Sequence, residues 1–213
     1  MIISFSGIDS SGKGTQIKFL SMYFSGVSVP FKVCWARPGY TPMLALLKKY
    51  FFRSKNKSIN YLQDRKKTAL ANNFLSYIWI YISLIDLILY WVVYFRIINK
   101  RSIIIADRYI LDAYVDLSIQ FKGVDISKLV LYRLLKFLTP IPDYSFFLEL
   151  NPDISIKRQS IKHDRYPVDF SSLQARADLY HTELANKIYS FIVIDANIPA
   201  EEIELIIRKK LGI

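Results

Sequence analysis

The stretch IISFSGIDSSGKGT (2–15) admits few folds. Its opening IISF is a short apolar run that reads as a strand. Gly7, Gly12 and Lys13 then satisfy G-x-x-x-x-G-K, and the chain from Lys13 to about Phe24 reads as a helix. A strand that turns through glycines into a helix N-terminus aims backbone N–H groups and the helix dipole at an anion. Ser10, Ser11, Gly12, Gly14 and Thr15 are therefore expected to line bound phosphates, with Lys13 reaching the outer ones. Gly14 stands where such loops commonly carry a magnesium-ligating hydroxyl, so Mg2+ is expected largely through water, with direct ligation by Thr15 the weaker reading. A carboxylate beside phosphates repels them unless it faces elsewhere. Asp9 is thus expected to face a hydroxyl-bearing acceptor or a magnesium-bound water.

The rest of the chain alternates strand and helix, which predicts a parallel sheet covered on both faces. Strands are expected at VPFKVCW (29–35), SIIIAD (102–107), YSFFLEL (144–150) and FIVID (191–195). Helices are expected from Pro42 onward with a break near SKNKS, then at 74–98, 111–120, 126–138, up to Ser160, at 172–189 and after Pro199. Ligands of such sheets gather beyond the C-terminal strand ends. That places Asp107 and Arg108 of ADRY beside the loop, Asp107 to organise magnesium waters or assist the acceptor and Arg108 to clamp phosphate oxygens. Arg37 in ARPG, after the second strand, is expected to meet an anion. KRQSIKHDRYP (157–167) groups cations on a mobile, lid-like connection at about 157–170, with Arg158 and Arg165 as the arginines that screen phosphate charge.

Composition narrows the partners. One cysteine, Cys34, excludes a disulfide framework or a cysteine-based zinc site. No basic n-region or cleavage site precedes the first strand, as expected of a cytoplasmic protein. The net charge of +11 is partly local, since residues 48–67 hold eight basic residues against one aspartate. No zinc finger or aromatic-interleaved RNA motif accompanies that run, and no specific nucleic-acid partner is expected.

The segment FLSYIWIYISLIDLILYWVVYFRII (74–98) is near the length of a bilayer span, which takes about 20 apolar residues. A span would separate the phosphate loop from ADRY, and Asp86 at its centre would cost about 2.5–3.5 kcal/mol. Ser76, Ser83 and Tyr90 recur at intervals of seven, with Asp86 near the same face and Tyr94 one turn beyond. This predicts a long buried helix with a polar stripe toward the site and a greasy flank toward a partner. Self-association is the favoured use of that flank, ahead of peripheral membrane contact.

Taken together, ISFSGIDSSGKGTQIKFL, ARPGYT, IIIADRYILDAY, PDYSFFLELNPDISIKR, HDRYP and FIVIDANIPAEEIELIIRKKLG occur in the order and spacing of a known family. The chain resembles the thymidylate kinases of the P-loop nucleoside-monophosphate kinase superfamily, over essentially its whole length. The resemblance implies a single P-loop kinase domain over 1–213, a three-layer α/β sandwich with a five-stranded parallel sheet, flanking helices and a short lid. It implies magnesium-dependent transfer of the ATP γ-phosphoryl group to a nucleoside monophosphate such as dTMP, and often a homodimer built on long helices. By the same resemblance Asp9 sits near the acceptor's sugar and phosphate, Arg158 and Arg165 are lid arginines, and Ala196 and Asn197 border the adenine.

The chain departs from the family pattern in three places. Ala36 and Arg37 replace an arginine–glutamate pair, GKGT replaces a threonine-threonine form, and the long helix carries Asp86 where an arginine usually meets the acceptor's phosphate. An aspartate there suits a hydroxyl, a sugar or an amine. A second acceptor class, a sugar or membrane-associated intermediate, therefore stands beside the nucleotide reading, and an NTP-binding regulatory protein is a third.

Overall fold

The computed structural model describes residues 1–39, 41, 73–98, 102–161, 168–186 and 190–213. The helices expected between 42 and 72, the basic run 48–67, and Lys162, His163 and Arg165 lie outside the described residues. In chain order the elements are β1 (Ile2–Ser6), α1 (Lys13–Gly26), β2 (Phe31–Trp35), α2 (Asn73–Leu87), α3 (Phe95–Ile98) and β3 (Ile103–Asp107). They continue with α4 (Ile110–Gln120), α5 (Val130–Leu138), β4 (Tyr144–Glu149), α6 (Pro152–Ile161), α7 (Phe170–Ala185), β5 (Ile192–Asp195) and α8 (Ala200–Leu211). A π-helical stretch, Ile88–Tyr94, joins α2 to α3 into one long rod.

The five strands form one parallel sheet in the order β2-β3-β1-β4-β5. β1 is central and buried along its whole length, which is why its sequence is apolar or small at every position. Its register sets Phe5 beside Asp107 on one side and Phe146 on the other. The C-terminal ends of β1, β3 and β4 consequently lie together, and the loops that leave them share one edge.

Apolar layers cover both faces of the sheet. One joins Leu84, Trp91 and Phe95 of the long rod to Ala113 of α4 and Leu135 of α5. The other joins Leu20 of α1, Leu173 and Tyr180 of α7 and Ile203 of α8 to Phe5, Phe146 and Leu148. Burying each such side chain contributes about 1.5–3 kcal/mol. Phe5 and Phe146 also stack, with centroids 5.4 Å apart. Helix ends follow local chemistry: Asp169 caps α7 by accepting from Ser172 N at 2.8 Å. In α8, Glu201 and Glu202 open the helix, three cations close it, and Gly212 ends it at φ 74°.

The long rod has two different sides. Ser76, Ser83, Asp86 and Tyr90 are buried, as the seven-residue recurrence predicts. In the π-helical stretch three consecutive side chains, Tyr90, Trp91 and Val92, are buried together. Trp91 packs on Tyr109 with centroids 4.9 Å apart, and Phe95 stacks on the same ring at 5.9 Å. The rod thus braces the residue that follows Asp107 and Arg108. On its other side Ile78, Ile82, Ile85, Leu89 and Val93 are exposed along a continuous stripe. Phe74–Ile97 is long and apolar enough to cross a membrane by length and composition alone, and half of its most apolar window is buried within the fold.

Candidate active site

The phosphate loop occupies the turn between β1 and α1. Gly7 adopts φ +141°, and a Cβ there would come within 2.5 Å of the Leu148 carbonyl oxygen on β4. Only glycine lets the loop start this close to the neighbouring strand. Gly12, at φ +94°, is the last residue before α1 and meets nothing within 4 Å of an added Cβ, so backbone conformation rather than space selects glycine there. Ser10 is left-handed too, at φ 59°.

Lys13 folds back over this loop. Its Nζ donates to the carbonyls of Gly7 at 2.8 Å and Ile8 at 2.7 Å, and to Ser11 Oγ at 3.2 Å. Burial pushes the ammonium down to about 8, helped by Arg108 and opposed by Asp112, Asp9 and Asp107. A buried cation resting on carbonyl oxygens is poised to exchange them for phosphate oxygens. Gly14 and Thr15, in the first turn of α1, are exposed on the same side.

Asp107 and Arg108 end β3 beside this loop, as the topology requires. Arg108 takes φ 74°, so the chain reverses at once into α4. Its side chain is nearly buried; Nη2 pairs with Asp9 and Nη1 lies 3.8 Å from Asp112 Oδ1. Burial works against the Arg108 charge, but Asp112 and Asp9 outweigh it and hold the guanidinium protonated. For Asp9, burial raises the carboxyl while Arg108, Lys13, Arg37 and Arg176 pull it below its ordinary value. Asp107 is half-buried and accepts no hydrogen bond among the described residues. Burial raises its carboxyl against the pull of Lys13 and Arg108.

The β2 side of the site is built on charge pairs. Arg37 donates from Nε to Asp116 Oδ2 at 3.0 Å, and Arg176 on α7 pairs with Asp116 Oδ1. Asp86 is 4% exposed and accepts a hydrogen bond from Thr41, so the carboxylate at the centre of the long rod ties that rod to the loop after β2. Gly39, at φ +78°, brings the same loop against Ser83.

The β4–β5 side is backbone-rich. Ser155 Oγ donates to the Asp9 carbonyl at 2.7 Å. Arg158 donates to Ser10 O at 3.3 Å and to Ala196 O at 2.9 Å, bridging the phosphate loop and the turn after β5. Ala196 is fully buried and donates its N–H to Glu149 O at 2.7 Å. Asn197 is exposed, with its backbone N–H on Asp195 Oδ1 at 2.8 Å.

The described site residues singled out from sequence therefore ring one edge of the sheet. Sequence reading missed Asp112, Asp116, Arg176 and Tyr180. Asp112 accepts from Ser6 Oγ at 2.6 Å, Tyr109 N at 3.0 Å and Tyr180 OH at 2.7 Å, tying β1, α4 and α7 together beneath Arg108. The available signal was spacing: Arg108, Asp112 and Asp116 recur every four residues, as do Arg176 and Tyr180.

Comparison with known proteins agrees with this geometry. A family model described as thymidylate kinase matches residues 5–207. The chain is 25% identical to a probable thymidylate kinase 2 of Saccharolobus solfataricus, covering 100% of this chain and 95% of the relative. It is 25% identical to a thymidylate kinase of Kosmotoga olearia, covering 100% and 99%. It is 28% identical to a thymidylate kinase of Blochmanniella pennsylvanica, covering 98% and 93%.

Proposed function

The chain belongs to the thymidylate kinase family and is a nucleoside-monophosphate-kinase-like phosphotransferase, and from that we propose that it transfers the γ-phosphoryl group of ATP to dTMP in the cytoplasm. The observation that carries this reading is the meeting of Lys13 with the Arg108–Asp9 pair at one sheet edge. Phosphoryl transfer leaves the protein little covalent work; it must position donor and acceptor and stabilise the charge between them. Lys13 and the loop N–H groups hold the donor's phosphates. Arg108 bridges donor and acceptor sides, with Asp9 turned to the acceptor. Arg158 fixes the loop against the turn at Ala196 and Asn197, where the adenine rests. Arg165, outside the described residues, screens the charge of the phosphates.

The residues suit Mg2+ held through water. Among the described residues no cluster of three His, Cys, Asp or Glu could cage a metal ion. Asp107, half-buried and without a hydrogen-bond donor among the described residues, can accept from magnesium waters, and Thr15 offers an exposed hydroxyl. Held through water by Asp107 and Thr15, Mg2+ would offset the charge of the phosphates.

A coupled ADP-release screen tests the acceptor. With ATP and Mg2+, dTMP is expected to turn over faster than any other nucleoside monophosphate and far faster than thymidine or a sugar. Preference for a hydroxyl acceptor lacking phosphate, or phosphate release independent of acceptor, overturns the reading.

The same family membership supports a homodimer through the exposed stripe of the long rod. The row Ile78, Ile82, Ile85, Leu89 and Val93, exposed among the described residues, is costly to leave in water. Light scattering is expected to give twice the chain mass for the wild type, and the chain mass for Ile82→Glu combined with Ile85→Glu. A monomeric wild type would remove the dimer.

A further inference from the structure

Two arginines share one buried carboxylate on the β2 side of the site. Arg37 reaches Asp116 with Nε at 3.0 Å and Nη2 at 3.4 Å, while Arg176 Nη1 donates to the same Oδ1 that Nη2 approaches. Asp116 is 8% exposed, and the two arginine side chains keep 31% and 14% of their surface open. Neither arginine pairs with a second carboxylate among the described residues. The trio therefore holds one cation in excess. Nor is the fork of Arg176 fully used: its Nε is buried and donates to nothing among the described residues. A buried guanidinium N–H without an acceptor is costly unless an anion arrives to take it.

The position says which anion. Arg37 leaves the C-terminal end of β2, which lies beyond β3 from the central β1, and Arg176 comes from α7 to the same Asp116 carboxylate. Asp9 is paired with Arg108, next to the phosphate loop. The pair thus lies across Arg108 from the donor loop, on the side where an acceptor must enter. The long rod contributes no alternative, since residues 73–95 contain neither arginine nor lysine and Asp86 is turned to Thr41.

We infer that Arg37 and Arg176 form the binding site for the acceptor's own phosphate, with Asp116 holding the two guanidinium groups in place until it arrives. This rests on the reading of the enzyme as a nucleoside monophosphate kinase and deepens it. It assigns the phosphate-recognition role to residues from the loop after β2 and from α7, which substitute for the cation absent from residues 73–95. A planar guanidinium can keep one N–H on Asp116 and turn another to a phosphate oxygen, so the carboxylate orients the pair without blocking it.

Equilibrium binding of dTMP and thymidine separates the parts of this inference, because the two ligands differ only in the phosphate. Wild-type protein is expected to bind dTMP at least about tenfold more tightly than thymidine. Arg37→Met and Arg176→Met should each weaken dTMP by about tenfold to a hundredfold, as loss of a charge-assisted hydrogen bond implies. Thymidine affinity and the KM for ATP should change less than about twofold on the same scale. Arg176→Lys, which keeps the charge without the fork, should recover part of the loss. Equal weakening of dTMP and thymidine, or no weakening of either in variants that melt as the wild type does, overturns the inference. Turnover decides the other question separately. A wild type that binds dTMP through these arginines yet phosphorylates no nucleoside monophosphate would sink the kinase reading and leave the anion site standing.

Discussion

Lys13→Met is expected to lower kcat by about a hundredfold to a thousandfold with dTMP, the loss typical when a positioned donor to transition-state charge is removed. The substitution keeps the length of the stem and removes only the ammonium. That ammonium donates to Gly7 O, Ile8 O and Ser11 Oγ, so its loss frees backbone carbonyls without opening a large cavity. Melting should change little compared with activity. The pH dependence carries the more specific signature. Burial sets the Lys13 ammonium at about 8, whereas bound phosphate favours the charged form and raises it. Below pH 8 both free and bound protein carry the proton, so ATP affinity is flat. Above pH 8 the free protein has lost it and binding must take one up, so affinity falls by up to about tenfold per pH unit. Titration of the nucleotide from acid to alkaline buffers checks this. The Lys13→Met profile should lack the break, and a wild-type profile flat through pH 9 would show that Lys13 is not the titrating group.

Arg108→Met is expected to cost stability as well as activity. Arg108 stands between Asp9 and Asp112, and Asp112 is almost wholly buried. Removing one partner of a buried ionic group leaves the other charge uncompensated, at about 3–5 kcal/mol. For a chain of this size that corresponds to a fall in Tm on the order of 6–20 °C. The sign with pH follows from Asp9, whose carboxyl is held low chiefly by Arg108 against the effect of burial. In the wild type this pairing contributes stability above the ordinary carboxylate range and loses it as pH falls through the folded value. Without Arg108 the carboxyl is free to protonate at higher pH, which relieves the buried charge. The difference in Tm between variant and wild type should therefore shrink between pH 8 and pH 5. Turnover with dTMP should fall by about a hundredfold or more. Equal destabilisation at both pH values would mean that the loss comes from packing and not from charge.

How much of this could be read beforehand varies with the range of the interaction. The strand–glycine–helix pattern at 2–15 was fully legible because each of its requirements is local: an apolar run, left-handed turns at Gly7 and Gly12, and a cation opening α1. ADRY was legible for the same reason combined with one topological rule about strand ends. Strands β3 and β5 could be bounded to within a residue or two because their isoleucine-rich runs each end at an aspartate. Asp86 is the instructive case. Its place on a buried polar stripe was readable from the seven-residue recurrence, but its hydrogen bond to Thr41 crosses 45 positions and depends on how the β2 loop folds. Asp116 and Arg176 were missed for that reason, since they pair across 60 positions from two helices that look ordinary in sequence. Arg158 was read as a lid cation from its basic surroundings. Its bonds to Ser10 O and Ala196 O depend on two backbone turns that composition does not encode.

The strand order has an evolutionary consequence. With β1 in the middle, the phosphate loop has the β4–β5 half on one side of it and the β2–β3 half on the other. Arg158 and Leu148 bear on the loop from one direction, and Arg108 bears on it from the other through Asp9. A lineage can then rewrite one half while the other stays constant. Arg37 donates to Asp116 and to no residue of the phosphate loop among the described residues. A change of acceptor recognition is thus a heritable step open to this architecture that leaves the use of its common donor intact.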